Sequence, residues 1–322
     1  MTAETMTHTQ APSRAEKPQP KASYKTRWNK LVESVSPYGY IAPFFLLFAI
    51  FGLFPLLFTF YISFFEWNPI GEQTFIGLDN FVRLWNDPRF WNATVNTLGI
   101  WVLSTVPQLL LALGLAHLLN HPRLRAATFF RMSMLLPYIT STAATAIVFA
   151  QLFDRDYGMF NWLIGLVGID PIDFTQDKFA TWALIALMVA WRWFGYNTLL
   201  YLASLQAIPQ EVYEAAAVDG ASGWQQFFHI TIPSLRPILI FTIVTSTIGG
   251  LQVFTEPLLA NPTASQTCGS TRQCQTLALF LYEQGFGQYQ FGYGAAIGVA
   301  LFIMVVFFAV MNFLLSTRLK GA

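Results

Sequence analysis

The side chains of this chain that could do chemistry are few, and the most conspicuous lie inside apolar runs. Trp191-Arg192-Trp193-Phe194-Gly195-Tyr196-Asn197 sets a guanidinium, several rings and an amide within one such run. Gly249-Gly250-Leu251-Gln252-Val253-Phe254-Thr255-Glu256-Pro257 places an amide, a hydroxyl and a carboxylate in another. Polar groups at membrane depth are costly and point to function by default. An arginine near a helix centre costs about 2.5–3.5 kcal/mol on insertion scales, so Arg192 must be paired, face a wet cavity or lie nearer the interface. The chemistry that these residues suit is non-covalent: rings stack on the apolar faces of a hydroxyl-rich solute, and amides bond its hydroxyls. Trp193, Tyr196 and Asn197 are the candidates in the first run, although a regular helix would not point the adjacent Tyr196 and Asn197 at one pore. Gln252, Thr255 and Glu256 are the candidates in the second, with Gln252 and Glu256 four apart on one helical face. Two plainer readings stay open: an interfacial aromatic cluster, and a Gln252 that bonds a neighbouring helix while Glu256 reaches the surface. Thr94, Asn96 and Thr97 are weaker candidates that suit helix packing.

Covalent chemistry has no visible seat. No lysine follows a glycine, so there is no phosphate-binding P-loop, and neither G-x-S-x-G nor H-E-x-x-H occurs. Asp154 and Asp156 are paired carboxylates without a histidine or basic network beside them. His8, His117, His121 and His229 form no metal-ligand spacing. Cys268 and Cys274, with Gly269 and Ser270 between them, suit a short disulfide-closed loop on an oxidising side better than a metal site. The chain is expected to bind no metal or cofactor of its own.

The elements that position these groups are membrane helices. The chain has 322 residues, 54% of them hydrophobic and only 11% charged, against about 25% charged in soluble domains. Six apolar runs near 38–65, 94–119, 132–153, 179–204, 238–260 and 292–315 reach the ~20 residues a span needs. They are continuous rather than alternating, which excludes a β-barrel. Trp162 to Ile169 is too short to span. The expected fold is all-α: a polytopic membrane protein of six transmembrane helices over 31–322, preceded by a disordered basic arm over 1–30. Phe75 to Phe81 reads as a small amphipathic element near an interface, flanked by Trp67, Trp85 and Trp91. No secretory signal is apparent.

Lysine and arginine distribution sets the orientation. Twelve cations lie on one side: Arg14, Lys17, Lys21, Lys25, Arg27, Lys30, Arg123, Arg125, Arg131, Arg236, Arg318 and Lys320. Five lie on the other: Arg83, Arg89, Arg155, Lys178 and Arg272. Both termini and the Glu214 loop are therefore expected in the cytoplasm, and Cys268 outside.

That loop, residues 206–237, lies between the fourth and fifth runs. Pro209 opens a first short helix, Gly220 closes it in the left-handed conformation, and Ser222 with Gln225 forms a capping box for a second. Pro233 and Pro237 are expected to end the second helix. Ala215, Ala216 and Ala217 leave no bulk, and Glu211 and Glu214 share a face, so a basic groove on a partner would suit it. A solvated inter-helix loop is the plainer alternative. Nucleic acid is excluded, because Arg236 is the stretch's sole cation and phosphate binding needs several.

Glu214-Ala215-Ala216, then Asp219-Gly220-Ala221, then Phe227 and Ile232-Pro233, resembles the EAA loop of bacterial ABC importer permeases. Leu205-Gln206-Ala207-Ile208-Pro209 and Tyr213 are similar to the sugar-importer branch, the maltose-type and glycerol-phosphate-type permeases. The likeness runs from Tyr38 to the C-terminus. It implies that Glu214, Ala215, Ala216, Asp219, Gly220 and Ala221 form a coupling helix seated in an ATPase subunit. It also implies that Arg192 and its neighbours lie in the substrate-lining segment. The implied partners are a second homologous permease, two copies of an ABC ATPase subunit carrying ATP and Mg, and an extracytoplasmic sugar-binding protein, in a bacterial cytoplasmic membrane. The implied cargo is a di- or oligosaccharide. A polyol phosphate is the alternative cargo, but it would want more cations than Arg192. An ion-coupled secondary transporter would want internal repeats or an intramembrane acid pair, and a membrane-embedded enzyme would want carboxylates or a metal cluster; none of these is evident.

Overall fold

The computed structural model describes residues 27–120, 127–261 and 266–318. Residues 1–26 of the expected arm, including His8, lie outside them, as do His121, Arg123, Arg125 and Lys320. The described residues are mostly helical.

Two units are distinguishable, to Leu56 and from Leu57. The N-terminal unit holds α1 (Arg27–Phe48), one wide π turn (Ala49–Leu53) and the start of α2 (Phe54–Ile62). Its Phe44, Phe45, Phe51 and Phe54 are exposed, as lipid-facing rings would be. The second unit continues with a hairpin of β1 (Phe65–Glu66) and β2 (Thr74–Phe75), paired antiparallel with Phe65 opposite Phe75. Then come α3 (Asp79–Asn86), α4 (Pro88–Leu119), α5 (Ala127–Ile139), α6 (Thr142–Leu152), α7 (Met159–Gly165) and α8 (Lys178–Gln206). The chain continues through α9 (Gln210–Val218), α10 (Gly223–Gln226), α11 (Ile232–Leu251), α12 (Thr255–Ala260), α13 (Leu277–Tyr282) and α14 (Phe291–Arg318).

Long α4 and α8 form the central pair; at ~1.5 Å per residue each is more than 40 Å long. Ile100, Leu184, Ile185 and Met188 are buried in the core at the α8 N-terminal half. Ala112, Ala116, Tyr201, Leu202 and Leu235 are buried at the other end. Phe90, Leu277, Phe280, Tyr293 and Ile297 join α4, α13 and α14. The Phe75–Phe81 segment is anchored by buried Asn80, whose Nδ2 donates to the carbonyls of Ser63 and Phe65, both at 2.9 Å. Met159–Gly165 is a short helix, as the length of its apolar run requires.

Two of the six expected spans differ from expectation. Among the described residues five helices are long and apolar enough to cross a membrane, and a sixth span exists only as a pair bent by 95°. That pair is α5 and α6, which break at Thr140-Ser141: Ser141 is extended, and its carbonyl accepts from the Thr145 backbone and hydroxyl. The Ser141 side chain makes no cap bond here, and the Thr140 and Thr145 hydroxyls donate to the carbonyls four residues back, a bond that bends helices.

The other difference is the fifth span. Pro233 and Pro237 do not end the second loop helix; Gly223–Leu251 runs on as one candidate span. A π turn over Phe227–Thr231, closed by the Ile232 N–H on the Phe227 carbonyl, immediately precedes Pro233. The wider turn accommodates the proline ring, which would otherwise clash with the carbonyl four residues back. The same pairing of a π turn with a following proline occurs at Ala49–Leu53 and Pro55. At its far end the fifth helix stops at Leu251, short of residue 260.

Candidate functional site

Two places carry the residues singled out in the sequence. The first is the loop between α8 and α11. Pro209 stands at the N-cap of α9 and Asp219 at its C-cap. Gly220 has φ +85°, and the Ala221 N–H reaches back to the Ala216 carbonyl at 2.9 Å. This is a left-handed helix stop that glycine adopts without strain. The capping box is formed: the Ser222 N–H donates to Gln225 Oε1 at 2.7 Å, and the Gln225 N–H to Ser222 Oγ at 3.4 Å. Tyr213 OH and Thr231 Oγ1, 2.9 Å apart, tie α9 back to the π turn. Glu211, Glu214, Ala215, Ala217 and Asp219 are exposed. Ala216, Asp219, Ala221 and Gln225 line an open groove with His229. Trp224 and Phe228, stacked 6.1 Å apart, are also exposed. Their presence in a polar loop was the signal available in sequence, and it was missed.

The second place is a cavity of about 250 Å³ among α4, α5, α8 and α11. Trp193, Tyr196 and Asn197 all line it; neighbouring positions on a helix diverge by only ~100°, which a cavity this wide accommodates. Tyr138 stacks on Tyr196 at 4.9 Å and meets Trp193 edge-on at 5.3 Å. The contact needs Gly195, where a Cβ would fall 1.8 Å from the Met134 carbonyl oxygen. Asn197 is 2% exposed, and its Nδ2 has no hydrogen-bond partner among the described residues. Gln108, Thr105, Thr245 and Ser246 add amide and hydroxyl groups. Sequence reasoning missed these four and Tyr138, because their helices meet only in three dimensions.

Arg192, Gln252, Thr255 and Glu256 do not line the cavity. Arg192 Nη1 lies 3.4 Å from Glu256 Oε1, so the paired option is the one realised. Gln252 and Glu256 do not share one helical face. The helix stops at Leu251, Phe254 turns the chain at φ −130° and ψ −53°, and Glu256 begins again in α12. Gln252 is exposed, and Thr255 is half-buried.

Cys268 and Cys274 are joined, with Cα atoms 5.3 Å apart. The loop they close is held by long-range bonds. Asn92 and Asn96 Nδ2 donate to the Arg272 carbonyl at 2.8 and 2.9 Å. Trp182 Nε1 donates to the Gln273 carbonyl at 2.9 Å. Arg272 Nη2 donates to Glu283 Oε1 at 2.7 Å, and Gln275 Nε2 to Glu283 Oε2 at 2.8 Å. Burial alone would raise the Glu283 carboxyl, but the bonds from Arg272 and Gln275 outweigh it and hold it below the usual glutamate range. Thr97 accepts from the Leu277 N–H, so Asn96 and Thr97 pack the bundle rather than line a path. Among the described residues no cluster of histidine, cysteine or carboxylate could hold a metal.

Apolar helices long enough to span, packed around a cavity walled by rings with a few amides and hydroxyls and bearing a capped helical loop at one end, define a membrane-transport subunit. The family described as "Binding-protein-dependent transport system inner membrane component" matches residues 100–321, and the chain belongs to it. It is a multi-pass permease subunit of this importer family rather than an enzyme. The chain is 39% identical over 225 residues to the lactose transport system permease protein LacF of Rhizobium radiobacter, covering 69% of this chain and 73% of that one. It is 34% identical over 222 residues to the arabinooligosaccharides transport system permease protein AraP of Bacillus subtilis, with 68% of each covered. It is 32% identical over 219 residues to the trehalose/maltose transport system permease protein MalF of Thermococcus litoralis, covering 68% and 72%. The fold matches a chain of the bacterial ABC transporter involved in the import of the acidic polysaccharide alginate, with a TM-score of 0.77 at 22% identity over 90% of this chain and 98% of that one.

Proposed function

We propose that this chain forms half of the translocation pathway of an ATP-driven importer for a di- or oligosaccharide. An extracytoplasmic binding protein delivers the sugar, a second homologous permease completes the pathway, and two ATPase subunits supply the energy with their own ATP and Mg. The observation that carries the cargo reading is the unpartnered amide of Asn197 in a cavity walled by Trp193, Tyr196 and Tyr138. Aromatic faces and amides are what a polyhydroxylated ring requires, and the relatives' names point the same way.

The coupling reading rests on the loop. Its small-surfaced, acidic helix is exposed; the left-handed stop at Gly220, the capping box of the next helix and the Tyr213–Thr231 bond fix it to the rest of the loop. ATPase closure would move it as one piece and switch the bundle between inward- and outward-facing states. The cation distribution supports a cytoplasmic position for this loop and both termini.

The test is reconstitution of the assembled importer in vesicles with its binding protein. Asn197→Ala should slow uptake up to about tenfold, since a neutral hydrogen bond is worth ~0.5–1.5 kcal/mol net; Trp193→Ala, which removes a ring that stacks on the sugar, should cost at least as much, and basal ATPase should survive both. Unchanged uptake kinetics in both would overturn the cavity reading. Glu214→Lys should leave the subunit inserted and uncouple hydrolysis from uptake; normal sugar-stimulated ATPase with normal uptake would overturn the docking reading. For orientation, an impermeant thiol reagent on intact cells in a Cys-free background should label Ser270→Cys and spare Glu214→Cys.

A further inference from the structure

Arg192 is on the cavity face of α8 but is not part of the cavity wall. It lies three residues after Val189 and four before Tyr196, and both of those line the cavity. Residues at these spacings share a helical face, so a free Arg192 side chain would extend along the same wall. Its guanidinium is instead drawn to Glu256 on α12, with Nη1 3.4 Å from Oε1 and the two side chains 17% and 7% exposed. Among the described residues the remaining lining consists of rings, amides, hydroxyls, aliphatic groups and glycines, with no ionised side chain.

We propose that Glu256 sets the charge selectivity of this pathway: by holding Arg192 it keeps the cavity uncharged, so the path takes neutral saccharides and refuses uronates and other anionic sugars. This rests on the reading of the cavity as the solute path. An anion entering a desolvated, uncharged cavity meets no compensating charge and bears its full desolvation cost. A free arginine would remove that cost, because its planar fork bonds carboxylates bidentately. The fold does not itself decide the matter, since the alginate importer carries an acidic polysaccharide on the same architecture. The placement of one carboxylate on the segment after the α11 break does.

The decisive experiment measures equilibrium binding to the assembled importer in lipid nanodiscs, without binding protein. The probes are lactose, maltose and cellobiose, each beside its uronate counterpart. Wild type should bind at least one neutral disaccharide, and the matching uronate at least tenfold more weakly. Glu256→Gln should tighten uronate binding at least tenfold, and adding Arg192→Gln should abolish that gain. Equal binding of neutral and anionic probes by wild type, or a gain that survives removal of Arg192, would overturn the proposal and leave the sugar path standing. Binding of no probe by wild type would sink the cavity reading and this proposal with it. Should Glu256→Gln fail to assemble, Arg192→Gln alone decides: uronate binding as weak as in wild type supports neutralisation, and uronate binding present in wild type but lost in the variant refutes it.

Discussion

The two ends of α8 are joined to segments of opposite character. Near Lys178, the segment around the Cys268–Cys274 loop turns its polar groups inward: Gln273, Gln275, Thr276 and Glu283 are all buried. Their bonds run to α4, α8 and one another. Beyond Gln206, the α9–α10 loop turns its polar groups outward; its side-chain hydrogen bonds among the described residues stay within the loop, the longest in range being Tyr213 to Thr231, and Phe227 meets the α4 residue His117 only through a ring contact. The first segment is a cap completed within the chain. The second is a rigid surface left open, as a docking element would be. Polar groups satisfied by the chain's own remote parts serve stability, whereas polar groups satisfied only by local caps leave their surface available.

The contrast can be broken most sharply at Arg272. Its removal leaves Glu283 buried with Gln275 as its remaining strong partner, and breaking one side of a buried pair costs about 3–5 kcal/mol. Arg272→Ala should therefore lower the melting temperature of the purified subunit more than any loop substitution. The sign of its pH dependence follows from the depressed Glu283 carboxyl. The pair's contribution is complete above the ordinary glutamate range and is lost as pH falls through the lower folded value. Wild-type stability should fall below about pH 4, and the Arg272→Ala profile should be flatter there.

Next in size is the disulfide. Replacing Cys268 and Cys274 by serine should cost about 2–3 kcal/mol for so short a loop under the chain-entropy model, read as a melting shift equal to that of wild type under reductant. Two free thiols in non-reduced, denatured wild-type protein would remove the basis for this expectation.

At the open end the prediction inverts. Gly220→Val forces a β-branched residue into the left-handed region, costing about 1–2 kcal/mol locally, yet no atom lies within 4 Å of the added Cβ. The bundle should melt nearly as wild type while sugar-stimulated ATPase and uptake are lost together. A large melting shift with normal coupling would erase the distinction between the two ends. Smallest of all, Ser222→Ala removes one side of the capping box for about 1 kcal/mol, and should lower coupling efficiency without changing assembly.

The legible parts of this molecule are those whose cause is local. Pro209, Gly220 and the Ser222–Gln225 box appeared where residue type and spacing placed them, because a cap is made within four residues of chain. The long α4, α8 and α14 followed from sustained apolar runs. The break at Thr140-Ser141 was not anticipated, because an apolar run gives the same hydropathy whether straight or bent. The continuation through Pro233 was missed because a π turn leaves no compositional trace.

Sequence by itself determined the class: membrane helices, a capped acidic loop between two of them, and the polar residues that had to find partners at membrane depth. Only the tertiary structure decided which partners they found. Arg192 found Glu256 across a helix break rather than the cavity, Asn96 found a loop carbonyl 176 residues away, and Asn197 found none among the described residues. The physical reason is range. Helix propensity and capping act over one or two turns, so a single segment contains their cause, whereas a buried charge or amide is satisfied by whichever remote group the packing brings within about 3 Å.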